Sequence, residues 1–426
     1  MTRIDLSIRP TVFVSLFVAL QLYSFHLAAQ PSESAAPREH DEFRFSGEYG
    51  LWVQEQENQI DVHWITAATD SGFLRVLSAD KSLADFTTPL SLTHQVSFDK
   101  PKVGVFALHY GSLSNPFDNH KTVIRLPAKR PGAIFGKVDS IYVIGDLHGE
   151  FHHLVELLSN ARLIDANLDW IARKKHLVLL GDFFDRGIHV TKTLWLLYKL
   201  DRQAELAGGR VHLVLGNHEI MTFGNDLRYL APKEQMISHL HRIPYSQMYD
   251  VHRSVLGKWL ATKPGLIKMD KILFAHGGVA PLYANYSIEV FNDSLQKFIN
   301  EETFAYLLQD SIPAMKIDSL SYYRRLHFFY GETSVFWHRD YVLTDRLEKD
   351  LKKVLRTYRC KTHIIAHTTV KTISEFYDGK IIAVDLMKPA TEMLLLVRKG
   401  KHKKFRVHLD GTVEKLEKRA NVAATQ

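Results

Sequence analysis

The 426-residue chain carries one cysteine, Cys360. No disulfide can form within it, so its stability must come from a packed core or from bound metal. One thiol also excludes a structural zinc site built from several thiolates. Cys360 reads as a small buried apolar residue rather than a nucleophile. The chain also lacks an uninterrupted apolar run of the ~20 residues that a membrane-spanning helix needs. It has no internal repeat of fixed period, which argues against a solenoid or propeller. Nor is it acidic: 54 Lys and Arg against 47 Asp and Glu give a net charge of +7. That sign favours anionic partners. The densest basic run, KGKHKK at residues 399–404, reads as a solvated hairpin, and no nucleic-acid partner is expected.

What is present begins with a leader. Arg3 and Arg9 precede the apolar stretch VFVSLFVALQL, Val12 to Leu22, and Ala28-Ala29 precede the polar QPSESAAPREHDE. This is the pattern of a secretory signal peptide, residues 1–29, cut near Ala29. The competing reading is an uncleaved anchor. Gln21, Ser24 and His26 break the apolar stretch, so cleavage is preferred, no stable membrane anchor is expected, and the mature protein is expected to be secreted or periplasmic. Two sequons, at Asn285 and Asn292, matter only where the source glycosylates.

Residues 42–128 read as all-β. Short alternating runs include YGLWVQ, QIDVHWIT, GFLRVL and VGVFALHY. In IDVHW, Ile60, Val62 and Trp64 fall on one face and Asp61 and His63 on the other, the mark of a half-buried strand. Strands at this spacing predict a small sandwich with Trp64 in its core. A linker follows at 129–137. From 138 to 412 strands alternate with helices, as in VIGDLHG, FHHLVELLSN, LVLLGDFFDRG and VHLVLGNHE, which predicts an α/β layered fold. Residues 413–426 read as a tail. The polar-aromatic stretches around 221–260 and 286–345 read as insertions that shape a pocket or lid.

Five β-runs end in residues of the type that bind metal. They supply Asp146 and His148, then Asp182, then Asn217 and His218, then His276, then His367. In α/β sheets, functional groups gather beyond the carboxyl ends of strands. Carboxylates, imidazoles and an amide oxygen suit borderline divalent ions such as Mn, Fe or Zn. Seven side chains exceed the needs of one ion and fit two. Two ions ~3.5–4 Å apart can share a carboxylate and a bridging hydroxide, a nucleophile at neutral pH. Any one of these residues alone means little. Together with Gly145, Gly149, Gly181, Gly187, Gly216, Gly277 and Gly278, which permit tight turns and close approach, they form a specific signal.

The motifs GDLHG, GDFFDRG and GNHE, with HGG and a late AH, resemble the calcineurin-like metallophosphoesterases over about residues 138–385. Within that superfamily they resemble the phosphoprotein phosphatase branch and its Shewanella-like type. The resemblance implies a calcineurin-like layered β-sheet domain with flanking helices, of α/β class, here preceded by a fibronectin-like all-β sandwich. It implies two divalent metal ions. Asp146 and His148 would bind the first, Asp182 would bridge, and Asn217, His276 and His367 would bind the second. His218 would be the general acid, Asp185 would orient it, and Arg186 would bind the phosphoryl group with its planar fork. Arg339, in VFWHRDY, matches a second arginine; Glu219 and Glu150 would support rather than ligate.

Phe183-Phe184 stands where the family commonly has Tyr-Val, and Val279 where it has Leu after HGG. The all-β region resembles the domain that precedes the catalytic domain in purple acid phosphatases. No tyrosine sits where those enzymes hold iron, so a colourless protein is expected. The implied activity is hydrolysis of phosphate monoesters, with phosphoproteins (Ser/Thr or Tyr) as candidate substrates. Phosphodiesterases and nucleotide pyrophosphatases share the metal site and remain the alternative. An inactive binding protein is a further reading, against which the complete ligand set argues.

Overall fold

The structure is a computed structural model that describes residues 50–78, 81–301, 319–387 and 389–417. The expected signal peptide, residues 302–318 of the second insertion and the end of the tail lie outside the described residues. Among the described residues, no helix is long and apolar enough to cross a membrane.

The first sheet grows from β1 (Trp52–Glu55), β2 (Gln59–Ser78), β3 (Lys81–Asp99), β4 (Val105–Ser112) and β5 (Asn119–Arg125). β3 lies along one edge of β2. β1 and then β4 share the other edge, with β5 outside β4. All these pairings are antiparallel. A two-sheet sandwich was expected; the described residues form one five-stranded sheet instead. The reason lies at Ile65–Asp70, where a register shift carries QIDVHWIT on into GFLRVL as one strand. A bulge of this kind bends a strand without ending it. Trp64 is fully buried, as its alternation predicted.

Asp61 and His63 were expected to face water, and both are buried. The opposite face of the strand is covered by the catalytic region. His63 meets the ring of Trp52 at 4.7 Å and that of His241 at 5.8 Å. Alternation reports one apolar face but cannot show that a later part of the chain covers the polar one.

Two six-stranded sheets build the remainder. One has the order β17-β16-β15-β7-β8-β9: β7 (Ser140–Ile144), β8 (His176–Leu179) and β9 (Arg210–Leu213) run parallel, and β15 (Glu392–Lys399), β16 (Lys401–His408) and β17 (Val413–Lys415) extend the sheet antiparallel. The other has the order β13-β14-β12-β11-β10-β6: β13 (Ser374–Phe376), β14 (Ile381–Ala383), β12 (Thr362–Ile365), β11 (Ile272–Ala275), β10 (Leu266–Met269) and β6 (Ile134–Phe135). The two share one core, with Ile141, Val143 and Leu394 from the first sheet against Phe274, Ile364 and Ile382 from the second. Near-continuous apolar strands such as these are what burial on both faces requires. Ile134–Phe135 lies in the stretch expected as a linker, and Val413–Lys415 in the expected tail; both pair into sheets.

Helices flank the sheets: α1 (Phe151–Asn160), α2 (Val190–Leu206), α3 (Asn217–Phe223), α4 (Pro232–His241), α5 (Tyr245–Met248), α6 (Val255–Ala261), α7 (Ile288–Ile299), α8 (Ser319–Tyr330), α9 (Asp340–Leu343) and α10 (Glu348–Thr357). α2 ends just before Gly208, whose φ of +79° continues no helix. Cys360 packs part-buried against the core, and burial pushes its thiol up to about 11, unsuited to a nucleophile. Asn292 is buried, its side-chain oxygen accepting from the backbone of Gly265 and Leu266. A glycan there is incompatible with the fold.

Candidate metal and phosphoryl-transfer site

The strands carrying the motifs come from both sheets. β7, β8 and β9 deliver Asp146, Asp182 and Asn217 from one, and β11 and β12 deliver His276 and His367 from the other. Their ends meet, and Asp146, His148, Asp182, Asn217, His218, His276 and His367 form one buried cluster. The loops reach it at a conformational cost. His148, Asp182, Asp185, Arg186 and His367 all have φ between 45° and 67°, the left-handed region that non-glycine residues avoid. Such strain persists only where the surroundings over-determine it, and it gathers at functional sites. Gly181, at φ +92°, shows how tight the approach is: a Cβ there would lie 2.5 Å from the Gly216 nitrogen.

Asp182 is the centre. Its Oδ2 lies 3.7 Å from His148 Nε2 and 3.8 Å from His218 Nε2. Its Oδ1 lies 3.3 Å from His276 Nε2 and accepts the His218 backbone N–H at 3.0 Å. His148, Asp182 and His218 bring ligand atoms within 4.8 Å of one another, and Asp182, His276 and His367 do the same. Asn217 Oδ1 joins the second group, 2.8 Å from His276 Nε2. Asp146 lies between them, with Oδ2 at 3.8 Å from His148 Nε2 and Oδ1 at 3.7 Å from His276 Nδ1. The Asp146 Oδ1 also accepts the His367 N–H at 3.2 Å.

The imidazoles are aimed from behind. His148 Nδ1 pairs with the Phe184 carbonyl at 2.7 Å, and His276 Nδ1 with the Leu180 carbonyl at 2.5 Å. A carbonyl only accepts, so each ring donates there and turns Nε2 inward, as a metal-binding histidine usually does. His148 Nε2 and His367 Nε2 are buried with no hydrogen-bond partner, which a buried polar atom tolerates only at a cost. His218 differs: its Nδ1 is held by the Asp185 carboxylate at 2.6 Å and its Nε2 lies 3.3 Å from Arg186 Nη2.

The carboxylates favour positive charge on two of the imidazoles, His276 and His218. Burial opposes charge on His276, but Asp182 and Asp146 outweigh it and push the ring up to about 9. Burial likewise opposes charge on His218, and Asp182 and Asp185 reverse it, raising its pKa. Burial would raise Asp182, yet His276 and His218 hold it below the usual carboxylate range. His367 is driven well below its ordinary value by burial and by Arg339 and His276. The donor set, with two unpartnered imidazole nitrogens and a shared carboxylate, therefore fits divalent cations.

Glu219 supports the cluster, as its position in GNHE implied. Its carboxylate accepts from the N–H groups of Asp182, Phe183, Phe184 and Gly216, at 2.7–3.3 Å. Burial and the neighbouring Asp182 push it up to about 7. Glu150 instead pairs with His153 at the first turn of α1. Arg186 is exposed beside His218, its backbone N–H held by the Tyr229 carbonyl. Arg339 is exposed and donates to the His367 carbonyl at 2.6 Å. Two neighbours were missed. Tyr229 lies 5.5 Å ring to ring from His218 and 5.7 Å from the Arg186 guanidinium. Asp385 is buried and takes the Thr369 hydroxyl at 3.1 Å; burial and Asp146 push its carboxyl well above the ordinary range. Its signal was available, since KIIAVDL is also a β-run that ends in a carboxylate. Tyr229 gave none.

The model of the calcineurin-like phosphoesterases matches residues 140–371, just over half of the chain. The chain belongs to that family. It is a metal-dependent phosphatase of the calcineurin-like kind, and relatives support the Shewanella-like branch. It is 28% identical over 274 residues to Shewanella-like protein phosphatase 1 of Plasmodium berghei, covering 60% of this chain and 71% of that protein. It is 41% identical over 99 residues to Shewanella-like protein phosphatase 2 of Arabidopsis thaliana, covering 23% of this chain and only 25% of that protein. The crystal structure of a cold-active protein-tyrosine phosphatase of a Shewanella species matches with a TM-score of 0.67 at 24% identity, over 86% of this chain and 99% of that one. At that identity the match speaks for the fold alone.

Proposed function

We propose that the chain is a secreted or periplasmic phosphatase that hydrolyses phosphate monoesters at a two-cation centre, with phosphoproteins as its substrate class. The observation that carries this reading is the division of Asp182: one oxygen faces His148, the other His276. Asp146, His148 and Asp182 would hold one ion, and Asp182, Asn217, His276 and His367 the other, with Mn, Fe or Zn suited to the donors. When bound, such a pair supplies Lewis-acid charge to the phosphoryl oxygens and makes a nucleophile of water at neutral pH.

The chain's own residues do the rest. Arg186 and Arg339 present guanidinium forks to the phosphoryl oxygens and orient the ester. His218, fixed through Nδ1 by Asp185, gives its Nε2 proton to the leaving ester oxygen, and the bond from phosphorus to that oxygen breaks. Asp185 keeps the tautomer and balances the ring's charge, as an orienting carboxylate does beside a catalytic imidazole.

The test is hydrolysis of para-nitrophenyl phosphate against its bis-ester by protein stripped of metal and resupplied with Mn, Fe, Zn or Mg. Monoester turnover restored by Mn, Fe or Zn is expected. Preference for the bis-ester would move the chain to the diesterases. Bound metal with no turnover of either ester would favour a binding protein.

A further inference from the structure

The catalytic chemistry leaves the N-terminal sheet without a task, yet that sheet packs beside Tyr249, whose ring meets Phe184 in the loop that aims His148. Trp52, in β1, donates its indole N–H to the Met248 carbonyl at 2.9 Å. Trp195, in α2, donates to the Leu51 carbonyl at 3.0 Å, and His241 pairs with the Gly50 carbonyl. Leu51, Trp52 and Val53 face Thr191, Trp195, Met248 and Tyr249 across a seam that leaves no room for a water molecule. Tyr249 is the residue common to this seam and to the site. Its hydroxyl lies 2.7 Å from Thr191 Oγ1, and Thr191 is tied twice to the buried Glu234 carboxylate of α4. Its ring meets the edge of Phe184 at 4.8 Å and 83°. The Phe184 carbonyl is the acceptor that turns His148 inward.

We propose that Tyr249 is a positioning residue for the metal site, and that the N-terminal sheet acts through it by clamping the Phe184 loop. The inference rests on the two-cation reading above. Phe184 lies between Asp182 and Asp185, whose left-handed backbones need outside support. Glu219 holds the loop's N–H groups from one side. Tyr249 braces the Phe184 ring from the other, so the carbonyl stays where His148 Nδ1 needs it. Groups that hold a metal ligand in its orientation set metal affinity.

The test is calorimetric titration of Mn into the metal-stripped full chain, alongside kcat and KM at saturating Mn. Tyr249→Ala is expected to weaken Mn binding by ~10–100-fold, with kcat regained at saturating Mn and KM for the ester unchanged. Tyr249→Phe keeps the ring against Phe184 and is expected to bind Mn like the wild type. Trp52→Phe, which loses the N–H to Met248, is expected to weaken Mn binding less than Tyr249→Ala. Should Tyr249→Ala lose its near-ultraviolet dichroism, Tyr249→Leu, which keeps bulk but no aromatic edge, replaces it in the comparison. A folded Ala or Leu variant with wild-type Mn affinity would overturn the proposal, as would a Phe variant as weak as the Ala variant. A wild-type chain that binds no Mn, Fe or Zn would instead overturn the two-cation reading, and this inference with it.

Discussion

Asp182→Ala is expected to abolish turnover and metal binding together. The carboxylate gives one oxygen to each ligand group, and Oδ1 also fixes the start of α3 through the His218 N–H. Removing an outer partner of a metal ligand costs ~10–100-fold. Removing a shared ligand undermines both groups at once. We therefore expect kcat/KM to fall by more than ~10³-fold, or ~4 kcal/mol of transition-state stabilisation. Metal content per chain should fall in parallel. A variant that retained its full metal content would show that Asp182 is not the shared ligand.

His218→Asn should separate chemistry from metal. The ring is held by Asp185 rather than by a backbone carbonyl, unlike His148 and His276. Its loss should slow turnover by ~10²–10⁴-fold, the range for a general acid or base, with metal content unchanged. The size of the loss should depend on the leaving group. Para-nitrophenolate departs without a proton, so that ester should suffer least and alkyl phosphates most. The ring also lies close enough to His148 and Asp182 to join them around a cation. Loss of metal in this variant would reassign His218 as a ligand and leave the acid to be found elsewhere.

Much of this site was legible because metal chemistry constrains residue type and strand ends constrain position. Asp146, Asp182 and His276 stand out as a set, since several β-runs that each end in a carboxylate or imidazole beside glycines have few other joint uses. The support behind them was less legible. The backbone N–H groups that Glu219 gathers from Asp182, Phe183 and Phe184 lie 35–37 residues earlier, and no local pattern records such a pairing. Tyr229 and Tyr249 sit in polar-aromatic stretches without periodicity, so only the folded chain shows which ring meets which loop. The same limit explains the sheet. Alternation in IDVHW located Trp64 correctly in the core. It mistook the far face for solvent because α4 and α5, almost two hundred residues on, cover it.

The most direct measurement is the metal stoichiometry of activity. Metal-stripped full chain is titrated with Mn while bound metal and para-nitrophenyl phosphate turnover are followed together. A centre built around the two oxygens of Asp182 predicts two bound equivalents per chain, with full activity only when both are present. Full activity at one equivalent, or a chain that binds a single ion at saturation, would contradict it.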